Sequence, residues 1–204
     1  MNTVPGRTLT QPDWLTARIA EMGRSWGTTS LRIAGTLWWC MVSSALVEQV
    51  ARAYAREETP PAPVLDRIAC EVRPDGGVEH ITVAVPGDGT VECGTALRDT
   101  LAAVIAPVAE ASGAGVPSLW AIAADAIGNR ALDAGVPAAG TRLAAEIGDK
   151  LPTPRFVQIG GRTFVRRISC CLVFEVPGCE MCTSCPKRPA VERKALLEKL
   201  AAES

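Results

Sequence analysis

The sequence contains almost no histidine, and this scarcity excludes several kinds of catalytic and metal site. His80 is the single histidine among the 204 residues. A Rieske centre needs two histidine ligands, so that class of cluster is excluded. A hydrolase of the Ser-His-Asp or Cys-His type would have to use His80, and no nucleophile-elbow motif accompanies it. We therefore expect His80 to be a solvated residue on the polar face of a strand.

An excess of charge of either sign is also missing. The chain has 21 basic and 22 acidic residues, which gives a formal net charge of −1. No overall basic field would attract nucleic acid, so no nucleic-acid partner is expected.

The N-terminal stretch lacks the apolar segment of a signal peptide, and the apolar run at residues 33–47 is shorter than the roughly 20 residues of a membrane span. We expect a cytoplasmic protein in which this run forms a buried core helix.

The glycine motifs of nucleotide-binding folds are missing as well. There is no Gly-x-Gly-x-x-Gly and no Walker sequence, and the Gly-Gly pairs fall in predicted turns. The chain is therefore not expected to bind NAD(P)H or flavin through a standard dinucleotide fold. Any electrons that it uses must come from another protein.

Hydrophobic periodicity and turn residues predict helices mixed with short strands. Helical patterns cover residues 12–26, 31–57, 118–134, 138–150 and 189–202, and a further helix is predicted to start at residue 95. Strands are predicted at residues 67–72, 79–85 and 90–93, as a small antiparallel meander, and a hairpin at 155–159 and 162–176. Because regular βαβ alternation is missing, the expected class is α+β. We expect a mostly helical body at residues 1–154, and a hairpin, a cysteine loop and a terminal helix at residues 155–204.

Cysteine, in contrast, is abundant. In a chain without an export signal, metal ligation explains eight cysteines better than disulfides do. Three of them stand alone, mostly among apolar neighbours, and are predicted to be core residues: Cys40, Cys70 and Cys93. The other five lie close together near the C-terminus: Cys170, Cys171, Cys179, Cys182 and Cys185.

Four of these thiolates would complete an iron–sulfur core of the [2Fe–2S] or [4Fe–4S] type. The run from Cys179 to Cys185 resembles part of a [4Fe–4S] ferredoxin motif, but Pro189 occupies the position of the next cysteine. Structural zinc usually takes two separated Cys-x-x-Cys knuckles, and only one side here has that spacing. A thioredoxin-like redox pair needs a βαβ context, which is missing. The spacing favours [2Fe–2S] over these three alternatives.

The adjacent cysteines add a geometric requirement. Neighbouring side chains of an ideal strand point to opposite faces of the sheet. Cys170 and Cys171 can serve one cluster only if the backbone bends or bulges there.

The spacing Cys-Cys-x10-Cys-x-x-Cys, together with Arg167 and Pro186, resembles the C-terminal signature of the FhuF-type ferric siderophore reductases. The rest of the chain resembles that family more loosely, through its helical body, a Trp-containing helix around Trp120 and a basic strand before the cysteines. The resemblance implies a [2Fe–2S] cluster on Cys170, Cys171, Cys182 and Cys185, with Cys179 as a substitute ligand or a free thiol. It also implies reduction of hydroxamate-bound Fe(III), with a ferric siderophore as substrate, a protein electron donor and peripheral association with the membrane transporter.

No catalytic residue beyond the cluster is predicted. Arg162, Arg166 and Arg167 form a predicted basic strand beside the cysteines, which is either a plain solvated face or a functional one. In the functional interpretation, these cations stabilise the reduced cluster and attract an acidic electron donor. Two other functions remain open: a ferredoxin-like electron carrier without its own substrate site, and a zinc-stabilised interaction module.

Overall fold

The computed structural model describes residues 2–83, 92–148 and 150–203. These residues form six helices: α1 (Pro12–Trp26), α2 (Leu31–Arg56), α3 (Cys93–Ser112), α4 (Val116–Asp133), α5 (Pro137–Ile147) and α6 (Ala190–Ala202). They also form five strands: β1 (Asn2–Pro5), β2 (Ile68–Val72), β3 (Val78–Val83), β4 (Phe156–Ile159) and β5 (Arg162–Val165). The strands make two small antiparallel sheets, which confirms the predicted α+β class.

Helix α2 is the centre of the fold. It begins where the hydroxyl of Ser30 accepts a hydrogen bond from the N–H of Ile33, and it ends before Glu57, which takes a left-handed conformation with φ of 57°. Apolar residues on all its sides are buried, so it packs as a core helix rather than as a surface helix. The indole N–H of Trp39 donates to the carbonyl of Leu119 in α4 at 2.8 Å, which joins the two helices.

The other helices of the body pack around α2. Gly35 allows α3 to come close, because a Cβ at that position would lie 2.3 Å from the Cβ of Ser112. One face of α3 is apolar and buried, namely Leu97, Leu101, Val104, Ile105 and Val108. No single helix among the described residues is long and apolar enough to cross a membrane; α1 and α2 reach that length and composition only as a pair, which is bent by 100°.

The larger sheet has the order β1-β2-β3. The predicted turn between β2 and β3 is confirmed, with the N–H of Arg73 donating to the carbonyl of Gly77 at 2.8 Å. Strand β1 was not predicted, since its four residues are mostly exposed and carry little alternation. Of the predicted third strand at residues 90–93, residues 90 and 91 and the turn at 87–89 lie outside the described residues. Its last residue, Cys93, instead begins α3.

The C-terminal hairpin, β4 and β5, turns at Gly160 and Gly161, which have φ of 59° and 80°. The prediction that its second strand runs to residue 176 is wrong, because β5 ends at Val165. The N–H of Arg166 still donates to the carbonyl of Arg155 at 2.8 Å, but the N–H groups of Ile168 and Ser169 are bound by a side chain of α4, so the chain leaves the sheet there.

Candidate metal centre

Asp125 of α4 holds the backbone that leads to the adjacent cysteines. Its side chain is buried, and it accepts hydrogen bonds from the N–H of Ile168 at 2.9 Å and of Ser169 at 2.9 Å. The hydroxyl of Ser169 donates a further bond of 2.7 Å, and Arg167 Nε lies 3.6 Å from the same carboxylate. A buried carboxylate is tolerated only when it is paired and hydrogen-bonded in this way. The start of the cysteine segment is thereby fixed to the helical body.

Sequence reasoning missed Asp125. The signal was a lone acidic residue inside an apolar helix, between Ala124 and Ala126. Such a residue is rarely buried unless it has a partner, and its nearest partners lie more than forty positions along the chain.

The cysteine segment bends as the adjacent thiols require. Leu172, directly after Cys171, adopts a left-handed conformation with φ of 64°, which is uncommon for a residue other than glycine. Its N–H donates to Cys170 Sγ at 3.4 Å. A short 3-10 turn at Val173–Glu175 follows, so the backbone bends here, which is the condition for both adjacent cysteines to serve one cluster.

The four predicted ligands come together as two pairs of thiols. Cys170 Sγ lies 3.6 Å from Cys185 Sγ, and the thiol of Cys182 donates a hydrogen bond to the sulfur of Cys171. Each of the adjacent cysteines therefore has a different partner in the loop. Within that loop, the N–H of Cys185 donates to the carbonyl of Cys182 at 3.1 Å, which closes the Cys-x-x-Cys turn.

The Arg167 guanidinium lies against one of these pairs. Its Nη1 is 3.6 Å from Cys182 Sγ and 3.9 Å from Cys171 Sγ, and only 17% of the side chain is exposed. Burial by itself would lower the pKa of Arg167, but the negative charges of Cys171 and Asp125 raise it overall. Arg167 is therefore a fixed cation between a buried carboxylate and two thiols.

The thiols of this pair differ in their affinity for a proton. The hydrogen bond from Cys182, the N–H of Val173 and the charge of Arg167 together lower the pKa of Cys171 to about 5, although burial opposes them. The same hydrogen bond raises the pKa of Cys182, because its proton is shared with the Cys171 thiolate. One thiolate of the pair is thus available as a metal ligand at neutral pH.

The predicted basic strand is not one face. Arg162 lies in β5 with its guanidinium 5.2 Å from the ring centre of Phe164, and Arg166 is exposed beyond the end of that strand. Arg167 alone reaches the thiols, because the chain turns toward Asp125 after Arg166. The prediction that all three arginines lie on one strand is therefore wrong, because β5 ends at Val165.

The remaining cysteines occupy different environments. Cys179 is a free, half-buried cysteine that packs against the core, and its backbone N–H donates to the carbonyl of Val176 at 3.1 Å. Cys70 is buried, and Cys93 donates to the carbonyl of Pro61 at 3.2 Å, in agreement with their predicted packing role. Cys40 of α2 packs against the core but also lies within electrostatic range of Cys171 and Arg167, a proximity that sequence reasoning missed.

The donor set fits a two-iron cluster. Structural zinc takes four ligands around one ion, whereas a [2Fe–2S] core presents two irons to four cysteine thiolates. The two thiol pairs, Cys170 with Cys185 and Cys171 with Cys182, match the arrangement of a [2Fe–2S] core.

A cavity of about 500 Å³ lies beside this centre. Cys170 forms part of its wall, whereas the other three predicted ligands do not line it. The remaining wall comes from the first turns of α2 and α4 and from the cysteine segment, and it includes Arg32, Thr36, Ser118, Ala121 and Lys187. The cavity is therefore bounded by the helical body on one side and by a predicted cluster ligand on the other.

Comparison with known families agrees with the geometry. The family model of the FhuF 2Fe-2S C-terminal domain matches residues 167–187, a range that begins at Arg167 and includes all four paired cysteines. No curated protein matches the chain significantly. This match supports a FhuF-like C-terminal domain at residues 167–187, and the domain points to a [2Fe–2S] cluster as its cofactor.

Proposed function

We propose that the protein is a ferric siderophore reductase, which passes one electron to Fe(III) held by a hydroxamate chelate. The observation that carries this proposal is the cavity of about 500 Å³ whose wall contains Cys170, because a chelate seated there would lie next to a cluster ligand. When bound, a [2Fe–2S] cluster supplies electrons one at a time. Oxygen-rich chelators hold the hard Fe(III) ion very tightly and Fe(II) far more weakly, so one electron is enough to release the metal.

The protein's own residues would arrange the two partners. Asp125 holds the chain before Cys170, which fixes that thiol against the cavity. Arg167 places a positive charge beside Cys171 and Cys182, where it would stabilise the extra electron of the reduced state. The contacts of Asp125 are buried and those of Arg167 with the thiols are half-buried, so salt screens them less than it screens charges on the surface.

A second surface would receive the electron donor. A groove between the β4–β5 hairpin and α6 is lined by Arg166, Arg193 and Lys194, with no acidic residue among its described lining. Arg193 also donates to the carbonyl of Cys185 at 3.3 Å, so this basic groove reaches the backbone of a predicted ligand. The groove shares no lining residue with the cavity, which would let an acidic donor protein and the chelate bind together.

A single-turnover experiment tests the function. The holoprotein is reduced chemically without air and mixed with a ferric trihydroxamate, while the visible absorbance of the cluster and the capture of Fe(II) by a ferrous chelator are followed together. We expect reoxidation and Fe(II) release at equal amounts, and neither with the redox-inert gallium complex. If the reduced cluster is reoxidised only by other proteins and not by the ferric chelate, the protein is an electron carrier. If the purified protein contains zinc and no inorganic sulfide, it is a zinc-stabilised interaction module.

A further inference from the structure

We propose that the cavity beside Cys170 selects iron chelates of net negative charge, a preference that rests on the proposed reductase function. The described residues that line it include two cations, Arg32 and Lys187, and no Asp or Glu. For a chain whose overall charge is −1, this is a local concentration of positive charge at the position where a substrate would bind. The chemical class that this wall recognises is an anionic metal chelate.

The two cations come from different parts of the chain and share one acidic partner. Arg32 lies in the first turn of α2, and Lys187 follows the cysteine loop by two positions. Both face Glu175, with Arg32 Nη2 at 2.8 Å and Lys187 Nζ at 3.9 Å from its carboxylate. One carboxylate thus serves two cations, which leaves a net charge of +1 in this group. Glu175 itself does not line the cavity.

These cations remain available to a ligand. About half of each side chain is exposed, 48% for Arg32 and 52% for Lys187. The Lys187 ammonium lies 5.4 Å from the ring centre of Phe174, a contact that helps to keep it near the mouth. The guanidinium of Arg32 has donors beyond the one that binds Glu175, so it can bind a second oxygen anion without giving up its present partner.

The rest of the wall suits a large chelate with an apolar surface. The first turn of α4, which starts at Val116, contributes Ser118 and the partial positive charge of a helix N-terminus. Ala121, Ile168 and Leu172 contribute apolar surface. A mixed wall of this kind can pack against the hydrocarbon part of a chelator while the cations meet its anionic groups.

The charge of the wall also bears on the electron transfer. When the chelated Fe(III) is reduced by one electron, which a bound [2Fe–2S] cluster would supply, no bond forms or breaks, and the chelate gains one negative charge. Arg32 and Lys187 therefore stabilise the reduced chelate more than the oxidised chelate. The same two residues that favour an anionic substrate favour its reduction.

Two chelates with the same iron-binding groups test the preference. Desferrioxamine B forms a gallium complex of charge +1, and its N-succinyl derivative forms one of charge −1, because a carboxylate replaces the ammonium group. Calorimetry with the holoprotein at low salt gives the Kd of each. We expect the anionic complex to bind about fivefold more tightly, the size that two half-exposed cations can supply. Arg32→Gln and Lys187→Gln should each reduce this ratio, and the double variant should bring it to about one.

Arg52→Gln is the matched control, because Arg52 lies on the same helix as Arg32, is similarly exposed and is paired with Glu48. It should leave the ratio unchanged. Equal binding of the two complexes, or an equal effect of Arg52→Gln and Arg32→Gln, would overturn the charge preference. Single-turnover reoxidation by the two ferric complexes distinguishes failure of the charge preference from failure of the reductase function. Reoxidation by both complexes at equal rates would overturn only the charge preference. Reoxidation by neither complex would overturn the reductase function.

Discussion

The carboxylate of Asp125 accepts hydrogen bonds from both the backbone N–H and the hydroxyl of Ser169, at 2.9 and 2.7 Å. This contact joins α4 of the helical body to the residue that precedes the adjacent cysteines. The same carboxylate lies 3.6 Å from Arg167 Nε, and Arg167 in turn contacts two thiols. The arrangement of the cysteines therefore depends on a residue outside the segment that matches the family model.

Asp125→Asn is expected to destabilise the protein strongly. The amide keeps the size of the side chain, but it removes the negative charge beside Arg167 and replaces one acceptor oxygen with a donor. Breaking a buried ion pair from one side costs about 3–5 kcal/mol. Urea unfolding of the holoprotein measures this loss, and the visible and electron-paramagnetic spectra report on the cluster.

Asp133→Asn is the control on the same helix. Asp133 is 62% exposed and forms an i,i+3 pair with Arg130, so its loss should change the unfolding free energy by less than about 1 kcal/mol. Similar losses for the two variants would contradict the role given to Asp125.

Arg167→Gln is expected to lower the reduction potential of the cluster. Reduction adds a negative charge, and the variant removes the cation that lies within 4 Å of two predicted ligand sulfurs. A tenfold decrease in the equilibrium constant for one-electron reduction corresponds to about 59 mV, and we expect a shift of this size. Arg167→Lys should restore part of the shift, because it keeps the charge but not the forked donors. A redox titration followed by electron paramagnetic resonance measures all three proteins, and an unchanged potential in Arg167→Gln would show that the contact is only structural.

Cys179→Ser is expected to leave the cluster intact, whereas Cys182→Ser should bleach or strongly alter its visible spectrum. The sulfur of Cys179 lies outside the two thiol pairs among the described residues, and Cys182 is part of one. Iron and sulfide analysis of the two variants, purified without air, gives the content of the cluster. The opposite result would exchange the two residues in the ligand set.

Removal of the cluster is expected to expose one thiolate more reactive than the others. With its pKa lowered to about 5, Cys171 is deprotonated through the whole range from pH 6 to pH 8, so its alkylation rate should be nearly independent of pH there. Cys70 is buried with its pKa raised to about 12, so it stays protonated and should remain unlabelled. Iodoacetamide labelling of the folded apoprotein, followed by peptide mass analysis, measures both. Labelling of Cys171 that rises tenfold per pH unit would contradict the lowered pKa.

Much of the helical body was predictable from local patterns. The predicted bounds of α1 agree with the structure, and α2 ends one residue before its predicted end, because apolar spacing, an N-cap hydroxyl and the prolines after the helix act over a few residues. Pro117 and Pro137 lie in the first turns of α4 and α5, where the fixed φ of proline suits a helix, so the starts of these helices are local features as well. The predicted cluster type followed from the order and spacing of the thiols, which are local as well.

The short strands were less predictable. Strand β1 pairs with β2 across more than sixty positions, and its few exposed residues carry no pattern that would indicate a partner. Strand β5 was predicted too long because its extended pattern continues into residues whose N–H groups Asp125 binds. In both cases hydrogen-bond partners distant in the sequence decide where a strand lies and where it ends.

The surroundings of the cysteines depended on the tertiary structure in the same way. The spacing of the thiols favoured a [2Fe–2S] cluster, and the resemblance of this short segment to the FhuF-type signature implied the four ligands. It could not indicate that Arg167 turns toward those thiols, that Cys40 lies near them, or that Arg32 and Lys187 line one cavity. Those relationships bring together residues of α2, α4 and the C-terminal segment, and only the packing of the helices places them within a few ångströms of each other.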